Sequence, residues 1–114
     1  MKQELGRSIK KLLLFCSPLY TYKISGNSMR PTLQTGDVIL VNRLTYVFRK
    51  PKTGDIVALK DPRDGKILIK RIAKIETNHY FVLGDNPDYS TDSREFGMIG
   101  GREIIGRVIF NSKF

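Results

Sequence analysis

One cysteine, Cys16, and one histidine, His79, are all that this 114-residue chain has of those two residue types. A lone cysteine excludes a disulfide within the chain, and the pair cannot assemble a Cys/His zinc site. His79 follows the turn Thr77-Asn78 and reads as a surface residue with no partner for a Ser-His-Asp triad. Lysine is thereby left as the natural base for nucleophilic chemistry. Acidic residues are also scarce, 11 against 20 Lys and Arg, giving a formal charge of +9. That excess attracts something anionic: a phosphate backbone, an acidic lipid or an acidic peptide. Long apolar runs are missing as well. Leu12-Leu13-Leu14-Phe15-Cys16 lies between Lys10-Lys11 and Ser17-Pro18, far short of the roughly 20 apolar residues of a membrane span. It fits a removable signal peptide poorly, and no transmembrane anchor is expected.

The residues present describe an ordinary folded protein, 40% hydrophobic and 27% charged, of a size for one domain. Leu5, Ile9, Leu12, Leu13 and Cys16 share one side of a helix. Residues 1–19 are therefore expected to form an amphipathic helical segment, packed on the domain or lying on a membrane surface. Residues 20–114 are expected to form a β domain. Strands are read at Tyr20–Ile24, Asp37–Asn42, Ile56–Leu59, Ile67–Ile75, Tyr80–Leu83 and Ile104–Phe110, separated by Gly, Asp and Pro turns. Short strands with few helices predict a mainly β, single barrel-like domain. Cations crowd the N-terminus (Lys2, Arg7, Lys10, Lys11, Lys23) and recur at Arg43, Arg49, Lys50 and Lys52.

Lys70 stands out within Ile67-Leu68-Ile69-Lys70-Arg71-Ile72-Ala73-Lys74-Ile75. Side chains alternate along a strand, so Lys70 shares its face with Leu68 and Ile72. Burial among apolar neighbours lowers a lysine pKa by up to roughly 3–5 units, and a neutral lysine accepts the proton of a serine nucleophile. A candidate serine, Ser28, lies in Ser25-Gly26-Asn27-Ser28-Met29-Arg30-Pro31-Thr32-Leu33. A second polar loop, Gly84 to Gly101, carries Asp85, Ser90, Asp92 and Arg94. Loops on a rigid strand scaffold are where chemistry is commonly placed.

Other motifs fail. Ser8-Ile9-Lys10-Lys11 and Lys52-Thr53-Gly54 match S-x-x-K and K-T-G of penicillin-recognising enzymes, but the pieces lie too close together and no S-D-N element separates them. Asp85, Asp88 and Asp92 lack the central glycine and terminal glutamate of a calcium loop. No metal site is assigned.

The segments SGNSMRPTL, GDVILV, GDIVAL, ILIKRI and GDNPDYSTDSREFG occur in this order and together resemble the type I signal peptidases, serine proteases with a Ser-Lys dyad. The resemblance runs from about Ile24 to Phe110. It implies Ser28 as nucleophile, Lys70 as general base and Ser90 as the serine that orients the lysine amine. It implies Asp92 with Arg94, and Arg71 with Asp85, as structural ion pairs beside the site. Gly26, Asn27 and Met29 would form the oxyanion and substrate pocket, with the Ser28 amide as one oxyanion donor. Gly26 stands where many members carry a second oxyanion serine. The short connection from Lys70 to Gly84, the D-P-R-D turn and the missing anchor resemble the small nickel superoxide dismutase maturation proteases.

The expected activity is that of a serine endopeptidase removing an N-terminal extension from a precursor protein or peptide, a nickel superoxide dismutase being the candidate the resemblance suggests, with no cofactor. The alternatives are a signal peptidase proper and a self-cleaving repressor-type domain. Nucleic acid is not the expected partner, because no helix-turn-helix fits before Tyr20. The expected location is the cytoplasm or the membrane periphery, reached through the basic N-terminus.

Overall fold

Alternating and β-branched stretches such as Val38-Ile39-Leu40-Val41 favour a pleated, half-buried surface, and a sheet dominates the structure. The computed structural model describes residues 18–112. Strand β1 (Leu19–Lys23) is followed by β2 (Val38–Asn42), one helical turn α1 (Thr45–Phe48), β3 (Ile56–Lys60), β4 (Ile67–Glu76) and β5 (His79–Leu83). A second helical turn, α2 (Ser93–Phe96), then leads through β6 (Ile99–Gly100) to β7 (Ile104–Ser112). The strands form one curled seven-stranded sheet in the order β1-β2-β7-β3-β4-β5-β6. Every pairing is antiparallel. The mainly β, half-barrel architecture is the one expected from the strand pattern.

Alternation sorts the core. Val57 and Leu59 of β3 pack with Ile72, Tyr80, Val82 and Ile99, with Leu68 against them. Ala58 of β3 and Ile69 of β4 face the other way, into Ile24, Met29, Leu33, Ile39 and Val41. Lys70 pairs in register with Val57. Its parity puts it with Leu68 and Ile72, as the sequence argument requires.

Turns and ion pairs fix the connections. Thr77 and Asn78 take positive φ of 42° and 64° between the paired residues Glu76 and His79, the conformation of a two-residue hairpin turn that follows the strand twist. The Asp61-Pro62-Arg63-Asp64 turn closes the β3–β4 hairpin. Arg63 holds buried Asp61 at 2.9 Å and lies over the Phe96 ring of α2 at 5.4 Å. At the other end of the sheet, Asp55 accepts from Tyr46 Oη (2.8 Å), Arg49 Nη1 (3.0 Å) and the Lys52 amide (3.1 Å), tying α1 down.

Three short elements depart from the expected loops. The stretch read as continuous loop from Gly84 to Gly101 contains α2 and the edge strand β6, and the basic patch around Arg49 contains α1. The expected helical segment 1–19 lies outside the described residues except for Pro18 and Leu19, and Leu19 already opens β1.

Sheet closure also leaves a testable mark at Gly106. A Cβ there would sit 2.5 Å from the Asn42 carbonyl oxygen and 3.0 Å from Val41 Cγ1, so β7 approaches β2 too closely for any side chain. Gly106→Ala should cost roughly 1–3 kcal/mol by overpacking. A thermal melt should then drop by about 5 °C or more.

Candidate active site

The Ser28 loop is built by backbone bonds before any side chain matters. Gly26 takes φ +88°, a conformation open to glycine at little cost. Its carbonyl accepts from Thr35 Oγ1 at 2.7 Å. Asn27 O accepts from the Arg30 amide at 3.2 Å, and Met29 O from the Leu33 amide at 2.9 Å. Buried Met29 and Leu33 pin the loop into the core, leaving Ser28 half-buried at its turn. Among the described residues nothing accepts from the Ser28 amide.

The second loop reaches across to hold the first. The Asn86 amide donates to Ser28 O at 2.8 Å, and Asn86 Nδ2 donates to Asn27 O at 3.0 Å. The Asp85 amide points at Met29 Sδ, 3.4 Å away. Thr32 Oγ1 donates to Asp85 Oδ2 at 2.5 Å. Arg71 grips the same carboxylate through Nε and Nη2, at 2.9 and 2.8 Å, and reaches Gly54 O at 3.0 Å. A two-pronged guanidinium–carboxylate pair is directional as well as strong, so it fixes the loop's angle. The Arg71 hydrogen bond holds the Asp85 carboxyl below its usual range against the opposing effect of burial, with Thr32 helping.

Lys70 is 3% exposed. Desolvation by burial lowers its pKa below the ordinary lysine value, the nearby Asp92 charge opposes this, and Arg94 adds to it. Ser28 and Lys70 line one pocket of about 70 Å³, together with Tyr22, Ile24, Ser25, Met29 and Ile67 to Ile69. Among the described residues no hydrogen bond joins the two side chains; they share the pocket. Such contacts commonly tighten only when substrate binds.

Asp92 is fully buried and heavily coordinated. It accepts from Ser90 Oγ (2.8 Å), the Gly84 amide (3.0 Å), the Arg94 amide (3.1 Å) and Arg94 Nε and Nη2 (both 3.0 Å). Burial alone would raise its pKa. The bonds from Arg94, Gly84 and Ser90 outweigh that and hold the carboxyl down at about 2. The Ser90 hydroxyl proton is thus committed to Asp92, and towards any amine Ser90 presents only an accepting oxygen.

Gly84 sits at the crossing point. One step beyond the paired residues Arg71 and Leu83, the register brings it opposite Lys70. A Cβ on Gly84 would collide with Ser90 Oγ and lie 2.6 Å from Ser28 O. The site is therefore assembled around a missing side chain. Gly84, Thr32 and Asn86 escaped the sequence reading as site residues. The signals were the G-D-N triplet ending a strand and the threonine after Pro31. Among the described residues no His, Cys, Asp or Glu cluster has the geometry to hold a metal ion.

The family model of the signal peptidases, peptidase S26, matches residues 9–75 and 72–112. The chain belongs to this family. Family S26 peptidases are serine proteases. Signal peptidase I V of Bacillus subtilis (strain 168) is 30% identical over 76% of this chain and 82% of its own length. Subunit 1 of the mitochondrial inner membrane protease of Mus musculus is 36% identical over 75% of this chain and 64% of its own. Probable thylakoidal processing peptidase 2 of Arabidopsis thaliana is 31% identical over 86% of this chain. The chain spans most of the bacterial relative but only 39% of the thylakoidal one.

Two outcomes follow from this geometry. Gly84→Ala should leave a folded S26 domain whose peptidase activity falls at least tenfold, because the methyl group wedges Ser28 from Ser90; circular dichroism and a peptide assay separate the two effects. The depressed pKa of Asp92 contributes stability that is complete above about pH 4 and lost as pH falls towards 2. From the ordinary 3.8 to about 2, this is worth about 2 kcal/mol. Denaturant unfolding at successive pH values should show a correspondingly smaller acid loss in Asp92→Asn.

Proposed function

We propose that the chain is a Ser-Lys endopeptidase that removes an N-terminal extension from a precursor protein. The observation that carries this reading is the buried Lys70 sharing one small pocket with Ser28. Neutral Lys70 takes the Ser28 proton as Ser28 Oγ attacks the scissile carbonyl. The Ser28 amide donates to the developing oxyanion. Lys70 then returns the proton to the leaving amine, and water, deprotonated by the same lysine, releases the acyl group. Ser90 acts as a positioning residue. With its proton on Asp92, its oxygen accepts an N–H of Lys70 and turns the amine lone pair towards Ser28. The two ion pairs, Asp92–Arg94 and Asp85–Arg71, hold the loops that carry this geometry. The chemistry draws on no cofactor.

The narrow pocket, walled by Tyr22, Ile24, Met29 and Ile69, favours a small residue before the cleaved bond. The relatives named as signal and processing peptidases support a precursor as substrate. A nickel superoxide dismutase precursor is the first to test. That choice rests on the likeness of the G-D-N-P and D-P-R-D elements to the maturation proteases, and the D-P-R-D turn also has a structural task in closing the β3–β4 hairpin. For location, no helix among the described residues is long and apolar enough to cross a membrane. We place the protein in the cytoplasm or at the membrane periphery. Residues 20–114 would act as the catalytic domain.

Ser28→Ala and Lys70→Met should each reduce cleavage by on the order of a thousandfold or more, and the double variant should be no worse, since the pair acts as a unit. Lys70→Arg should be equally inactive, because arginine keeps its proton. Lys70→Met should melt at a higher temperature than the wild type at neutral pH. The buried amine has a folded-state pKa below its unfolded one, so its charged form costs stability that methionine spares. An active Lys70→Met would refute the base, and a lower melting temperature would refute its desolvation.

A further inference from the structure

We propose that Tyr89 forms a leaving-side subsite that selects a large apolar or aromatic side chain within the first two residues after the cleaved bond. Such a subsite rests on the peptidase reading above, since it needs Ser28 as the attacking group. The small pocket that takes the residue before the bond is lined from two stretches, 22–29 and 67–70. No residue of the Gly84–Asp92 loop lines it. A peptide whose acyl part fills that pocket sends its leaving part out past Ser28. The loop bonded to the Ser28 turn outside the pocket is Gly84–Asp92, through the Asn86 amide on Ser28 O at 2.8 Å and Asn86 Nδ2 on Asn27 O at 3.0 Å.

Tyr89 is 69% exposed on this loop. Single exposed aromatics are common on soluble proteins, and position sets this one apart. It directly precedes Ser90, and its turn is braced from several directions. Pro87 opens the turn Pro87–Tyr89, and its ring fixes φ there. The Tyr89 amide donates to Asn86 O at 3.1 Å, and Arg94 Nη2 donates to Pro87 O at 3.0 Å. The backbone that carries the ring is therefore fixed relative to Ser28, while the ring stands bare. A tyrosine offers a large contact area at the cost of only two side-chain torsions. Charge does not do the selecting, because exposed Asp88 before Tyr89 and exposed Arg30 after the Ser28 turn are opposite in sign. What remains is the ring face, which matches a flat or bulky apolar side chain.

Internally quenched peptides with alanine before the cleaved bond, differing only in the two residues after it, read the subsite in the full-length protein. The set carries Gly-Gly, Phe-Gly, Gly-Phe, Lys-Gly and Gly-Lys at those two places. The wild type should favour one of the Phe peptides over Gly-Gly by on the order of tenfold in kcat/KM. Tyr89→Ser should abolish that preference, and Tyr89→Phe should keep it. No Phe preference in the wild type would overturn the subsite and leave the peptidase reading standing. A preference that survives in Tyr89→Ser, with all peptides slowed alike, would do the same by making Tyr89 a structural residue of its loop. Lys peptides preferred over Phe peptides would overturn it by assigning the selection to Asp88. Cleavage of none of the set by the wild type would overturn the peptidase reading, and the subsite with it.

Discussion

Burial of the Lys70 amine is the constraint on which the site depends. A charged ammonium 3% exposed among Leu68, Ile72 and Val57 is costly, and shedding its proton relieves that cost. The Asp92 charge opposes this without reversing it, its oxygens being shared with Arg94, Ser90 and the Gly84 amide. The guanidinium of Arg94 also pushes the Lys70 pKa in the same direction as burial. The ion pair thus holds the loop, and its cation offsets part of the pull of Asp92 on Lys70.

Close backbone approach supplies the geometry. Gly84 lies between the Ser28 carbonyl and Ser90, opposite Lys70 in register, and any side chain there would separate them. Arg71, Asp85 and Thr32 brace the same junction from the other side. The sheet contributes what loops lack: β4 and β5 set the height of Lys70 and Gly84, and Met29 and Leu33 root the Ser28 turn in the core. Rigid strands therefore fix positions that two irregular loops alone would leave loose.

Much of this was legible in the residues because it follows from alternation. The parity of β4 put Lys70 on the face of Leu68 and Ile72, and β-branched runs with Gly and Asp turns marked the strands to within a residue or two. What escaped is what alternation does not encode. Gly84 matters through a contact with Ser28, far away in sequence, which only the folding of two loops creates. The role of Thr32 depends on Asp85, in the other loop. The turn α1 has no amphipathic period to detect, being four residues long and held by a tertiary bond from Tyr46 to Asp55. Strand β6 has two residues and owes its pairing to the edge of β5. The roles proposed for Ser28, Lys70 and Ser90 came from the family resemblance, while the structure adds that the Ser90 hydroxyl donates to Asp92.

The central claim, that burial makes Lys70 a base, is tested most directly by titrating that one side chain. With lysines labelled at Cε and the Lys70 resonance assigned by its loss in Lys70→Met, the carbon shift can be followed with pH by nuclear magnetic resonance. The account predicts a midpoint for Lys70 well below the ordinary 10.5, apart from the exposed lysines, and moving upward when Arg94 is replaced by glutamine. A Lys70 midpoint at or above that of the exposed lysines would contradict it.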